Sequence, residues 1–326
     1  MITRRKLVLA LGLGTLAAPL PSLAQQQAKV RRIGFLEPLA QDSALYREFL
    51  QGMRELGYIE GTNIAIESRF ADGKFERFPG FAAELVKLNV DVLVVATTPA
   101  IQAAQQATAT IPIVMVSVGD PVGAGFVASL ARPGGNITGM SVLTQDVSPK
   151  LLEMLKATVP KLSRIAVLVN PANSNTAVSL KNIQAAAQQM SVKILPLEAR
   201  TPSDIENAFA AMARQRPSAV MAPGDPFFRL QARHIADLAL RHRLPSAFSN
   251  SEITEAGALM SYGPRLAENY RRAAIYVDKI LKGAKPGELP VEQPTTFYMV
   301  INMKTAKALG IKFPNSILVQ ATKVIE

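Results

Sequence analysis

Short β-branched runs alternate along the chain with longer segments whose apolar residues recur at helical spacing, the pattern of parallel sheets covered by helices. Residues 33–36 predict a strand, and Leu45, Phe49, Met53 and Leu56 then share one helical face that ends at Gly57. A strand over 63–67 follows, then a helix carrying Phe78, Phe81, Leu85 and Leu88, and a buried-type strand over 92–95. A short Ala/Gln-rich helix over 100–107 leads to a strand over 113–116, and 137–142 predicts a strand leading out of this half. The rhythm restarts at 165–169, continues at 192–195 and returns at 219–222. Two doubly wound, Rossmann-like α/β lobes in tandem are expected. Beyond Tyr262 comes one more amphipathic helix, with Tyr270, Ala274, Val277 and Leu281 on one face, then a linker over 282–287 and a strand near 296–301. One added helix and one added strand predict that the chain crosses back between the lobes, and several crossovers make a hinge that can close on a ligand.

Composition narrows this picture. The 326 residues suit two lobes, and 48% hydrophobic with only 19% charged residues excludes a disordered chain. The absence of cysteine excludes disulfides, Cys-ligated metal and thiol nucleophiles. The net charge of +11 would suit nucleic acid or an anionic membrane surface, but three of those charges are Arg4, Arg5 and Lys6, which leaves +8 on the rest. They precede an apolar run over 7–18, shorter than the ~20 residues a bilayer needs. Small residues Ser22 and Ala24 follow it at signal-peptidase spacing. Residues 1–24 are therefore expected to be a signal peptide cleaved between Ala24 and Gln25, exported by the general secretory or the twin-arginine route. The expected compartment is the bacterial periplasm, which removes nucleic acid as a partner.

Catalytic signatures fail. There is no G-x-S-x-G elbow, no phosphate-binding P-loop and no H-E-x-x-H pair, and His234 and His242 lie eight apart rather than at metal-binding spacing. Neither a metal nor a cofactor is expected. An enzyme would have to use Asp120 and Asp225 as an acid–base pair.

Ligands of parallel α/β sheets bind beyond the carboxyl ends of the strands, where helix N-termini present backbone N–H groups. Thr97-Thr98-Pro99 stands at such an end, with two hydroxyls to meet a carboxylate; capping of the helix by Thr98 is the alternative. Gly119 and Asp120 lie in the loop after strand 113–116. Asn173, Ser174 and Asn175 lie in the polar loop after strand 165–169, offering amides and hydroxyls from the other lobe. Asp225 closes strand 219–222 beside Phe227 and Phe228, either to pair with a ligand ammonium or to cap the next helix. Phe248, Ser249 and Asn250, with Tyr262, end later strands and complete the wall.

Longer segments carry a resemblance. Those over 119–125 and 132–139, then 257–263, 280–286, 289–294 and 302–310, closely resemble the substrate-binding proteins of the ABC transporter family that includes tryptophan- and tyrosine-linked binding proteins, over essentially the whole mature chain. The resemblance implies a type I periplasmic binding fold: two lobes joined by three crossovers, near 141–149, 262–265 and 290–295, with ligand between them. Lobe 1 is expected over 29–142 plus 264–289, and lobe 2 over 147–262 plus 294–326. Thr97, Thr98, Asn173, Ser174 and Asp225 are implied to line the cleft. The expected protein is a monomeric periplasmic receptor that traps an amino acid, aromatic acid or related carboxylate by hinge closure. It would present the solute to the membrane permease of an ABC importer, and through it to the ATPase subunit. A two-lobed sensor feeding a signalling or regulatory partner is the alternative. The loop 223–228 departs from the Asp-Asn pattern of the tryptophan-type members.

Overall fold

A computed structural model describes residues 30–142, 144–159 and 161–326, the side chains of 144–146 excepted. The expected signal peptide and its cleavage point at Ala24 and Gln25 lie outside the described residues.

The first sheet contains β1 (Arg31–Glu37), β2 (Ile64–Phe70), β3 (Val92–Val95), β4 (Ile113–Val118) and β5 (Ile137–Ser141). Its order is β2-β1-β3-β4-β5 and every pairing is parallel. Helices α1 (Ala44–Glu55), α2 (Phe78–Lys87) and α3 (Thr98–Ala107) return the chain between strands. Strands covered on both faces need unbroken apolar runs, and residues 92–95 are buried throughout. β2 runs three residues past its predicted end, because an edge strand is half-buried and carries Glu67, Ser68 and Arg69. An apolar run under-reports such a strand.

After β5 the chain crosses into a second sheet. Its elements are α4 (Thr144–Thr158), β6 (Arg164–Val169), α5 (Thr176–Gln189), β7 (Lys193–Glu198), α6 (Pro202–Gln215), β8 (Ala219–Ala222), α7 (Pro226–Leu230), α8 (Ala232–Arg241), β9 (Ser246–Phe248), α9 (Ser251–Glu255) and β10 (Met260–Pro264). The order β12-β11-β10-β9-β8-β6-β7 repeats the first sheet's plan over β6 to β10 and then extends it. The extension is β11 (Phe297–Asn302), antiparallel to β10, with β12 (Lys323–Ile325) parallel to it at the edge. Two short helices, α11 (Met303–Leu309) and α12 (Asn315–Leu318), join them.

Between β10 and β11 the chain returns to the first lobe. There α10 (Leu266–Leu281) buries Tyr270, Ala273, Ala274, Tyr276 and Val277 against Phe35, Phe49 and Val94. The helices α1 and α10 meet at Gly52, where a Cβ would lie 2.9 Å from both Ala274 Cβ and the Arg271 carbonyl, so only glycine permits this approach. Glu292 then bridges to Met140 before the chain leaves for β11. Three crossings thus join two doubly wound lobes, as the pattern of added helix and added strand predicts.

Candidate functional site

Both sheets have the doubly wound order in which the first strand lies between the second and the third. The topological switch point, where ligands bind in such sheets, falls between β1 and β3 in one lobe and between β6 and β8 in the other. A cavity with about 730 Å³ of empty space, its open mouth included, lies at both. That is within the usual range for a small-molecule site.

The first lobe supplies Pro38 and Leu39 from beyond the end of β1, Thr97 and Thr98 from beyond the end of β3, Ser117 from β4, Gly119 just after it, and Val142 beyond β5. Thr97 has φ 75° and ψ 147°, a region almost reserved for glycine, and makes no side-chain cap to α3. It is only 5% exposed. A β-branched residue held in that conformation at a cavity wall is the kind of strain that collects at functional sites. Thr98 is not the cap, since it occupies the first turn of α3 with Pro99 behind it. The N-terminus of α3 therefore faces the cavity without an intrinsic acceptor.

The second lobe is organised around Asp225, the N-cap of α7. Its Oδ1 accepts from the amides of Phe227 (2.8 Å) and Phe228 (3.4 Å) and from Asn170 Nδ2 (3.2 Å); Oδ2 accepts from Asn173 Nδ2 (2.8 Å) and Asn170 Nδ2 (3.3 Å). Asn250 Oδ1 in turn accepts from the Asp225 amide. Burial raises the Asp225 carboxyl above its ordinary range, against the opposing pull of Asn173, Asn170 and the two amides. Asn175, Gly224, Ser249 and Asn250 line the same wall.

Among the residues singled out in the sequence, Thr97, Thr98, Gly119, Asn173, Asn175, Asp225 and Asn250 surround one cavity. Asp120, Ser174 and Tyr262 are not on its wall. The Asp120 carboxylate turns into its own loop and accepts from the Gly123 amide at 2.8 Å, so no Asp120–Asp225 acid–base pair is assembled. Ser174 is exposed on the outer side of its loop. Tyr262 lies within β10 rather than at its end and stacks on Phe297 with ring centroids 5.5 Å apart.

Four further residues matter, and sequence reasoning missed three of them, Glu37, Arg229 and Tyr270, as site residues. Tyr270 of α10 lines the cavity and donates to both oxygens of Glu37, at 3.1 and 2.9 Å, while Glu37 Oε1 also accepts from the Leu39 amide. Burial pushes Glu37 up to about 7 despite those donors and the nearby positive charge of Arg229. Arg229, one turn after Asp225, lines the cavity with its Nε buried and unbonded, and Ser249 Oγ there is also buried without a partner. Glu37 was legible as a charge closing an apolar run. Tyr270 was legible only as core. Among the described residues no cluster of His, Cys, Asp or Glu could hold a metal ion.

The pattern that describes ABC transporter substrate binding proteins matches residues 32–325. The chain belongs to the ABC transporter substrate binding protein family. A relative named a tyrosine-binding protein, from Clostridioides difficile, is 28% identical over 81% of this chain and 76% of its own length. Among solved structures, a conserved domain protein from Vibrio cholerae superposes with a TM-score of 0.84 at 29% identity, over 91% of this chain and 100% of its own. An ABC domain from Streptococcus pneumonia in complex with L-Trp superposes with a TM-score of 0.82 at 27% identity, over 90% of this chain and 99% of its own. These two solved structures share the two-lobed fold described above. Among the described residues no helix is long and apolar enough to cross a membrane.

Proposed function

We propose that this chain is the solute receptor of an ABC importer in the periplasm, taking a small carboxylate-bearing solute with an apolar or aromatic body into the cavity between the lobes. The observation that carries the reading is one cavity spanning both switch points, with hydroxyls and an open helix end from one lobe and amide and guanidinium groups from the other. Apolar wall residues, Leu39, Val142, Val147 and Leu266, suit the solute's body. Relatives named for tyrosine and bound to L-Trp support a ligand of that size.

The lobes, 29–142 with 264–289 and 147–262 with 294–326, would move about the three crossings and close on the solute. Closure follows only if the solute gains more contacts in the closed form than in the open one. The closed form would then be what a permease engages, and no reaction on the solute is part of this reading. Calorimetric titration of amino acids, aromatic carboxylates and aliphatic acids into the mature chain, with small-angle scattering for compaction, tests it. Saturable binding with a reduced radius of gyration is expected; no binding across such a set would overturn it.

A further inference from the structure

We propose that the cavity selects an organic acid lacking a free ammonium group over the amino acid of the same body. The inference rests on the receptor reading above and names the solute class within it.

A ligand ammonium needs an anionic or otherwise free acceptor when it leaves water. Among the described side chains Asp225 is the one carboxylate on the wall; it already takes five contacts from four protein donors, and its two oxygens offer about four lone-pair directions. Glu37 is fully buried and not on the wall, and the hydroxyl of Tyr270, a wall residue, donates to its two oxygens. Asn250 Oδ1 is engaged by the Asp225 amide. The anionic acceptor described on the wall is therefore already engaged within the protein, which leaves an ammonium only neutral oxygens such as the hydroxyls of Thr97, Thr98 and Ser117.

Donors are left over instead. Arg229 is 11% exposed, and its Nε has no hydrogen-bond partner. Arg229 is ion-paired with Glu252, whose Oε1 lies 3.6 Å from Nε, too far for a hydrogen bond, and whose side chain is itself 41% exposed. Ser249 Oγ is buried and unbonded on the same wall. Opposite, α3 presents an uncapped N-terminus beneath Thr97 and Thr98. A guanidinium fork and an open helix N-terminus both favour a carboxylate, and a buried N–H without a hydrogen-bond acceptor is costly until one arrives.

Matched ligands test this directly by titration calorimetry on the mature chain. L-Tyrosine, 3-(4-hydroxyphenyl)propanoate and tyramine share one body, and L-leucine, 4-methylpentanoate and isopentylamine share another. The acid of at least one trio is expected to bind about 10-fold or more tighter than its amino acid, with the amine not binding. Arg229→Gln is expected to weaken the acid by about 30-fold, and Arg229→Lys, which keeps the charge but loses the fork, by about 5-fold. Unchanged thermal unfolding of either variant shows that the loss is local; if Arg229→Gln fails to fold, the lysine variant carries the test. Amino acids binding as tightly as their acids, or the folded variants keeping full affinity, would overturn the acid preference while leaving the receptor reading intact. Silence from all six ligands would overturn both.

Discussion

The helix that follows the third strand of each doubly wound sheet begins at the cavity, and the two beginnings are built oppositely. At α7 the N-cap is Asp225, a carboxylate that closes the helix end and gathers Asn170 and Asn173 around itself. At α3 the N-cap is Thr97, strained at φ 75° and making no cap at all. One end is finished by the protein and one is left for something else. A helix N-terminus with its N–H groups unsatisfied is an anion site, whereas one already holding a carboxylate is a scaffold. Under the proposed receptor reading, the difference gives the second-lobe wall a structural part and the first a part in recognition, with Arg229 as the exception that brings recognition across.

Substitutions can break that contrast. The largest effect is expected for Asp225→Ala, which leaves Asn173, Asn170 and two helix amides without their acceptor and should cost about 3 kcal/mol or more in urea unfolding. A loss below ~1 kcal/mol would mean that Asp225 is not the structural hub its contacts describe.

Glu37 probes the back of the first-lobe wall through pH. Its carboxyl is raised from 4.5 to about 7 in the folded chain, so the folded state holds its proton more tightly than the unfolded state does. Stability from this group is full below the unfolded value and is lost as pH rises through about 7, by up to about 3 kcal/mol. Asp225, raised in the same direction by burial, adds a contribution of the same sign. Urea unfolding at successive pH values should show the decline, and Glu37→Gln should flatten most of it.

Thr97→Gly should stabilise the chain by about 1 kcal/mol, the relief of strain less the added freedom of glycine in the unfolded chain. Loss of ligand affinity in the same variant would place Thr97 in recognition; a gain in stability with affinity unchanged would make the strain incidental. Thr98→Val, the smallest perturbation, should leave stability within about 0.5 kcal/mol. It should weaken a carboxylate ligand by about 5-fold through one lost hydrogen bond, read by calorimetry.

Much of this was legible beforehand, for physical reasons that can be named. Strands buried on both faces must be apolar throughout, so 92–95 and 219–222 stand out in the sequence and match β3 and β8 residue for residue. Polar residues just after such runs lie at strand ends by construction, which is why Thr97, Asn173 and Asp225 could be chosen without coordinates. Strand β2, edge and half-buried, escaped at its far end for the converse reason. Asp120 misled because any carboxylate after a strand looks available, and its turn to the Gly123 amide is a matter of loop conformation. Arg229 sits inside a helix and Tyr270 lies more than 230 residues from its partner Glu37, so no local pattern joins them.

The sequence by itself determined the two-lobed architecture, the crossings and the family, because periodic burial and long shared segments are local properties. What only the tertiary structure decided is which groups still have something to give. A hydrogen-bonding side chain looks the same in sequence whether its partners are present or missing. Only the packed lobes reveal that Asp225 is already satisfied while Arg229 Nε has no hydrogen bond and the end of α3 has no side-chain cap.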